Sequence, residues 1–303
     1  MIIPYQRVRS PSGSARPSIL RGAQRHAHRA AASDGYSLVM TAQTVRLNKA
    51  DGVGTITLSR TQAMNALDTP TKEALLAALE EVAVDRSVRC VVLTGSGRAF
   101  CAGQDLKEHA AALDAGDVEA LLSTVPEHYN PIALALHTLK KPVIAGVNGI
   151  AAGAGAALAF LADYRLFAAS AGVNVAFSRI GLSCDTGTSW TLPRLVGPTK
   201  ALELLLNPRT VSSSEALAIG LATEVVSDAD FPTRLAALAT ALATGPTLAY
   251  AAIRQSVAYS ATHPLADSLA FEGEMMRKTG ATGDHKAAVD AFLAKRPPEF
   301  SGS

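Results

Sequence analysis

Cysteine is scarce in this sequence. Cys90, Cys101 and Cys184 are its only three, and they are widely spaced. Without a Cys-x-x-Cys pair, neither a disulfide framework nor a thiolate zinc site is expected, and a reducing compartment fits best. The seven histidines show no metal-ligand spacing, and His26 and His28 fall in an N-terminal tail, so no metal is expected. No G-x-x-x-x-G-K-[ST] loop and no G-x-S-x-G elbow is present. Gly153-Ala-Gly155-Ala-Ala-Leu158 approaches a dinucleotide loop but lacks its third small residue. Aromatics make up only 5% of the chain. With alanine and glycine abundant, the core should bring backbones close together.

Lysine is missing from residues 1–40, which carry six arginines and one acid, Asp34. That segment is therefore +5, and the net +2 of the chain leaves −3 for the rest. A body of that charge lacks the basic bias of a nucleic-acid binder. The same forty residues have no hydrophobic run and so do not read as a secretory signal. Their Arg, Ser, Ala and Pro fit a disordered extension ahead of Met40, which goes with a cytoplasmic protein. The alternative is a mitochondrial transit peptide, whose composition they share and which would direct the protein to the matrix. Charge is also missing from Pro142 to Ala162, and Gly149 to Gly153 matches the G-x-x-x-G pattern of paired membrane helices. The stretch is mostly Ala and Gly with Asn148 inside it. It reads as a buried strand, turn and helix, not a membrane span.

What is present is an alternation of strands and helices. Thr44–Leu47 and Val53–Leu58 read as a hairpin around Asp51-Gly52. Asp68 or Thr69 caps a helix carrying Leu75, Leu79 and Val82 at helical spacing. Cys90–Thr94, Val143–Val147 and Tyr164–Ala168 are short apolar runs of the buried-strand kind. Phe100–Asp105 and Asn174–Trp190 read as loops, and Gly153–Leu161 as a helix. After Ser212 the pattern is helical, with one short strand within Leu221–Val226. The expected fold class is α/β, with residues 41–210 as a core and 211–303 as a helical C-terminal region.

Two glycine-rich turns each follow a strand: Ala102-Gly103-Gln104-Asp105 and Gly153-Ala154-Gly155. A helix start exposes unpaired N–H groups, and glycine lets a ligand approach the backbone. Two amides aimed at one oxygen form an oxyanion hole. Taken singly, each turn could equally serve only to reverse the chain.

Three segments taken together resemble the enoyl-CoA hydratase/isomerase (crotonase) superfamily. They are Arg60-x-x-x-x-Asn65-Ala66-Leu67, Gly97-x-x-Phe100-Cys101-Ala102-Gly103-Gln104-Asp105-Leu106 and Lys141-Pro142-Val143-Ile144-Ala145-Gly146-Val147-Asn148-Gly149. The resemblance implies a ββα superhelix core with a C-terminal helical trimerisation region, in a trimer or a dimer of trimers. It implies a coenzyme A thioester as substrate, with no permanently bound cofactor. It assigns the oxyanion amides to Gln104 and Ala154, and the surrounding substrate contacts to Ala63, Ala102, Gly103, Asp105, Gly149 and Gly153. It assigns the coenzyme A end to Gln62, Met64 and Lys107, with Phe292 and Lys295 of the last helix reaching a neighbouring subunit's ligand.

The two glutamates used by the superfamily's hydratases fall on Ala157 and Phe177, and neither side chain can move a proton. The run from Gly181 to Gly197 instead resembles the 1,2-epoxyphenylacetyl-CoA isomerase branch, whose catalytic Asp falls on Asp185. Phe177, Ile180 and Trp190 are expected as the apolar walls that raise its pKa. Cys184 has no neighbouring histidine to activate it. The expectation is an acyl-CoA isomerase working through a thioester enolate. The alternatives are an enoyl-CoA hydratase of fatty-acid oxidation or a non-catalytic acyl-CoA binder.

Overall fold

The chain opens with β1 (Val45–Ala50) and β2 (Val53–Leu58), paired antiparallel from Val45↔Leu58 to Ala50↔Val53. Asp51 and Gly52 both take left-handed φ, 51° and 79°, the turn whose twist suits a two-residue hairpin. Alternate residues of β2 are buried, as a strand with one covered face requires. Helix α1 (Thr69–Val84) follows, its N-cap Asp68 accepting the Thr71 N–H at 3.0 Å.

Next come β3 (Cys90–Gly95), β4 (Ala99–Cys101), α2 (Leu106–Asp114), α3 (Val118–Thr124) and, after a π-helical turn at Val125–Tyr129, α4 (Asn130–Thr138). A second unit holds β5 (Val143–Val147), β6 (Ile150–Ala152) and α5 (Ala154–Phe160). A third holds β7 (Tyr164–Ala168), β8 (Gly172–Asn174), a 3-10 turn at Ala176–Ile180 and α6 (Thr188–Val196). The remainder is α7 (Pro198–Leu206), β9 (Val211–Ser212), α8 (Ser213–Ala218), β10 (Glu224–Val226), α9 (Phe231–Ala243), α10 (Thr247–Ser260), α11 (Leu265–Gly280) and α12 (Gly283–Leu293). These elements come from a computed structural model that describes residues 43–303 except Asp117, and the described residues form one compact unit. The reading of residues 1–40 lies outside the described residues.

The strands form two sheets. The larger has the order β1-β2-β3-β5-β7-β10, and the smaller β4-β6-β8-β9. Each of β3, β5 and β7 lies in the large sheet and is followed directly by a three-residue strand of the small one, then by helix. This is the ββα repeat of a superhelix.

The large sheet is covered on both faces. Along β3, Val91 and Leu93 join the main core with Leu75, Leu79 and Ile132, while Cys90 and Val92 pack against Ala239 and Ala243 of α9. Every residue of β5 is buried, as its unbroken apolar run predicts. The chain's end is tied down by Arg89, which donates to the carbonyls of Gly245 and Phe300, and by Asp284, which accepts the Ser301 and Gly302 N–H groups. Among the described residues, no single helix is long and apolar enough to cross a membrane, and no group of three His, Cys, Asp or Glu could hold a metal ion.

The loops expected at Phe100–Asp105 and Asn174–Trp190 are more ordered than their sequence suggests. The first begins inside β4, and the second holds the end of β8, a 3-10 turn and the first turn of α6. Three-residue strands leave no periodicity to read, and their pairing depends on partners distant in the chain.

Candidate active site

Strands β4 and β6 lie side by side and parallel in the small sheet, with Ala99 opposite Ile150 and Cys101 opposite Ala151. Their C-terminal ends therefore deliver two turns next to each other, where open parallel sheets place ligands. The first turn holds Gly103 at φ +86°, the second Gly153 at φ +51°. A Cβ on Gly103 would lie 2.7 Å from the Ala152 carbonyl oxygen and 3.3 Å from the Ala154 nitrogen. Only glycine meets both the dihedral and the space, and its bareness brings the two turns into contact. Gly155 does the same one step on, since a Cβ there would lie 2.2 Å from the Cys101 carbonyl oxygen.

The direction of the Gln104 N–H follows from its peptide plane. The Leu67 N–H donates to the Gly103 carbonyl at 2.8 Å. In a trans peptide the carbonyl and the next N–H point opposite ways, so the Gln104 N–H faces away from Leu67. Asp105 N–H closes this parallel bridge onto the Leu67 carbonyl at 3.1 Å. Ala154 is the first residue of α5 with negative φ, so its N–H points out of the helix. Among the described residues, no acceptor takes either N–H.

Gln104 and Ala154 line one cavity together with Ala102, Gly153, Phe177 and Asp185, enclosing about 780 Å³ with its open mouth. Leu121, Leu122, Val125 and Leu182 add apolar surface, and the half-exposed Ile180 sits at the rim. Asp185 enters from the segment between the 3-10 turn and α6. Its main-chain carbonyl accepts the Thr188 N–H at 2.9 Å, and Thr186, at φ 52°, donates its hydroxyl to the carboxylate at 2.8 Å. Burial pushes the Asp185 carboxyl above the ordinary carboxylate range, and the Thr186 hydroxyl only partly offsets it.

Two groups of side chains hold the loops. Arg60 donates to the Ala66 carbonyl at 2.6 Å and pairs with Asp105 at 2.9 Å and Asp68 at 3.0 Å. Asn65, at φ 57° and fully buried, donates to the carbonyls of Ser96, Ala99 and Phe100. Asp105 also caps α2 by accepting the N–H groups of Lys107 and Glu108. Burial opposes its ionisation, but Arg60 and these amides hold it below the usual range. A second group lies around the Gln104 side chain. Its Oε1 accepts the Tyr129 hydroxyl at 2.6 Å and Lys72 Nζ at 3.3 Å, and its Nε2 donates to Glu108 at 3.1 Å.

Several residues named from the sequence stand elsewhere. Trp190 is not a wall of this cavity. It lies on α6, which turns its ring to His137, edge to face at 5.0 Å, and under the Arg194 guanidinium. With the segment read as a loop, that helical phase was invisible. Asp105 is occupied by Arg60 and by capping. Gly149 presses on the β3–β4 turn, where a Cβ would lie 2.2 Å from the Arg98 carbonyl oxygen.

Met64 accepts the Ala102 N–H through its carbonyl, placing the Gln62–Met64 loop with Ala63 beside the first turn. The Gln62 and Lys107 side chains are exposed. Phe292, 81% exposed, and Lys295 lie at the α12 end and do not line the cavity. Ala157 is fully buried inside α5. Sequence reasoning missed Lys72, Glu108 and Tyr129. The one available signal was Lys72, which stands in the apolar stripe of Leu75, Leu79 and Val82.

This is an α/β fold whose cavity joins two main-chain donors at the ends of parallel strands and one half-buried acid on the segment before α6. The enoyl-CoA hydratase/isomerase family model matches residues 48–303, and the chain belongs to that family. It is 41% identical over 263 residues, 87% of this chain and 100% of the other, to a Rhodobacter capsulatus protein named "Probable enoyl-CoA hydratase". It is 39% identical over 251 residues, 83% of this chain and 95% of the other, to 1,2-epoxyphenylacetyl-CoA isomerase from Escherichia coli. The enoyl-CoA hydratase structure from Bacillus anthracis superposes with a TM-score of 0.80 at 29% identity, over 86% of this chain and 100% of that one. Both activities therefore occur among the relatives of this enzyme.

Proposed function

We propose that the chain is an acyl-CoA isomerase acting through a thioester enolate, with Asp185 as its acid/base. The Gln104 and Ala154 amides take the thioester oxygen. The Asp185 carboxylate removes a proton from C2 of a 3-enoyl thioester, the electron pair moves onto that oxygen, and the same proton returns at C4 to leave the 2-enoyl product. Ring-epoxide isomerisation of an arylacetyl thioester would use the same enolate. The observation that carries this reading is that the half-buried Asp185 carboxylate lines the same cavity as the Gln104 and Ala154 amides, while the family resemblance puts Ala157 and Phe177 where the hydratases have their glutamates.

Two carboxylates suit the addition of water, and one suits a shuttle. Coenzyme A would lie along the Gln62–Met64 loop and Lys107, and no permanent cofactor is needed. Exposed Leu265, Leu269, Met276, Phe292 and Leu293 on the last two helices support a trimer or dimer of trimers. The three free thiols support a reducing compartment, the cytoplasm, or the matrix should residues 1–40 direct import.

The test is Asp185→Asn with a 3-enoyl-CoA. Its kcat should fall by roughly 10²–10⁴-fold with thioester binding retained, and unchanged turnover would sink the assignment. The hydratase reading is favoured by the name of the Rhodobacter capsulatus relative. It predicts 3-hydroxyacyl-CoA from crotonyl-CoA, whereas the isomerase reading predicts none.

A further inference from the structure

Behind the first turn lies a set of polar side chains that the proton shuttle does not use. Lys72 is 1% exposed and stands on the buried face of α1, where a leucine would pack without losing any hydration. Its ammonium donates to Thr124 Oγ1 at 2.6 Å and to Gln104 Oε1 at 3.3 Å. The nearest carboxylate, Glu108, is 3.6 Å away and is already engaged by the Thr69 N–H and hydroxyl and by Gln104 Nε2. Tyr129, also 1% exposed, spends its hydroxyl on Gln104 Oε1 and lies 5.3 Å under the ammonium by its ring centroid.

Gln104 is thus gripped at both ends of its side-chain amide. Lys72 and Tyr129 fix the oxygen and Glu108 fixes the nitrogen. On its other side, the Leu67 bond pins the peptide plane that carries its N–H. A residue held at both its peptide and its side chain cannot rotate that N–H out of the cavity.

We propose that Lys72, Tyr129 and Glu108 are positioning residues, which hold the Gln104 N–H on the thioester oxygen while the Lys72 charge supports the enolate. The proposal rests on the enolate reading above. Burial lowers the proton affinity of Lys72, and Glu108, with Asp68 and Asp105 behind it, works the other way. Other titratable groups on this side are the Tyr129 phenol, Glu127, which lines the same pocket as Lys72, and, across Thr124, His128, whose Nδ1 lies 3.2 Å from the Thr124 hydroxyl. Glu108, 3.6 Å away, is shared with Thr69 and Gln104 and so offsets the buried cation only in part, and the remaining field reaches through Gln104 to the place where negative charge develops.

The variants are Lys72→Met, which keeps the bulk and removes the charge, and Tyr129→Phe, which removes one oxygen. Three quantities are measured: the melting temperature, kcat and KM on a 3-enoyl-CoA, and the infrared carbonyl stretch of a bound cinnamoyl thioester of coenzyme A. In both variants kcat should fall about 10- to 100-fold with KM within about threefold of the native value. The carbonyl stretch should move back towards that of the free thioester, and the Lys72→Met protein should melt no lower than the native one.

A native carbonyl stretch with native kcat would overturn the proposal, as would a rise in KM alone. Should Lys72→Met fail to fold, Tyr129→Phe carries the test. If the native protein turns over no thioester, the enolate reading has failed, and the carbonyl stretch still decides whether the cluster polarises a bound carbonyl.

Discussion

At the scale of single residues, the proposed chemistry concentrates on Asp185. Its carboxyl titrates above the ordinary carboxylate range because burial penalises the charge, so kcat/KM should rise with pH through that elevated value. A pH–rate profile with its acidic limb in the ordinary carboxylate range would contradict this. The same shift carries a stability consequence. A carboxyl whose pKa is raised on folding costs nothing at low pH, where both states hold the proton. It becomes destabilising as pH climbs past the unfolded value and through the folded one. Asp185→Asn should therefore be more stable than the native protein at neutral pH, with the difference vanishing in acid. Denaturant midpoints at two pH values check this.

At the scale of elements, the site depends on how closely β4 and β6 approach. Gly103→Ala would force a Cβ into a left-handed backbone and against the Ala152 carbonyl, 2.7 Å away. It should cost on the order of 1–3 kcal/mol in chemical unfolding. Turnover should fall further than that stability loss explains, because the adjoining Gln104 amide moves. The longer elements were legible in the sequence. The hairpin shows in Asp51-Gly52, β5 in an unbroken apolar run, and α1 in its cap and stripe.

The short strands β4, β6 and β8 were not legible, since three residues carry no period and their partners are remote. Asp185, Gln104 and Ala154, named from residue patterns and the family resemblance, do line one cavity, whereas Trp190 does not. Its direction depends on the phase of α6, which starts only at Thr188. The Lys72 cluster stayed hidden because it draws on α1, α2 and the turn before α4, and nothing in the sequence brings those together.

At the scale of the whole molecule, the last two helices leave Leu265, Leu269, Met276, Phe292 and Leu293 facing outward. Exposed apolar side chains in this number are what the proposed association between copies would cover. Sedimentation should show a species at least three times the mass of one chain, and Leu293→Asp should shift it towards the monomer. A single native species at monomer mass would remove the trimer from the account.

The two groups proposed to polarise the substrate are peptide N–H donors, and the genetic code cannot delete either one. An alanine scan of the cavity would strike Asp185 directly but reach the two amides only through the side chains that hold them, so the electrophilic half would be read at second hand. That half answers directly only to surgery on the backbone itself, such as an ester in place of the Gly103–Gln104 amide. It also follows that the proton-handling side chains can be exchanged from one relative to another while the oxygen-binding half stays as it is. That separation allows isomerases and hydratases to share one frame.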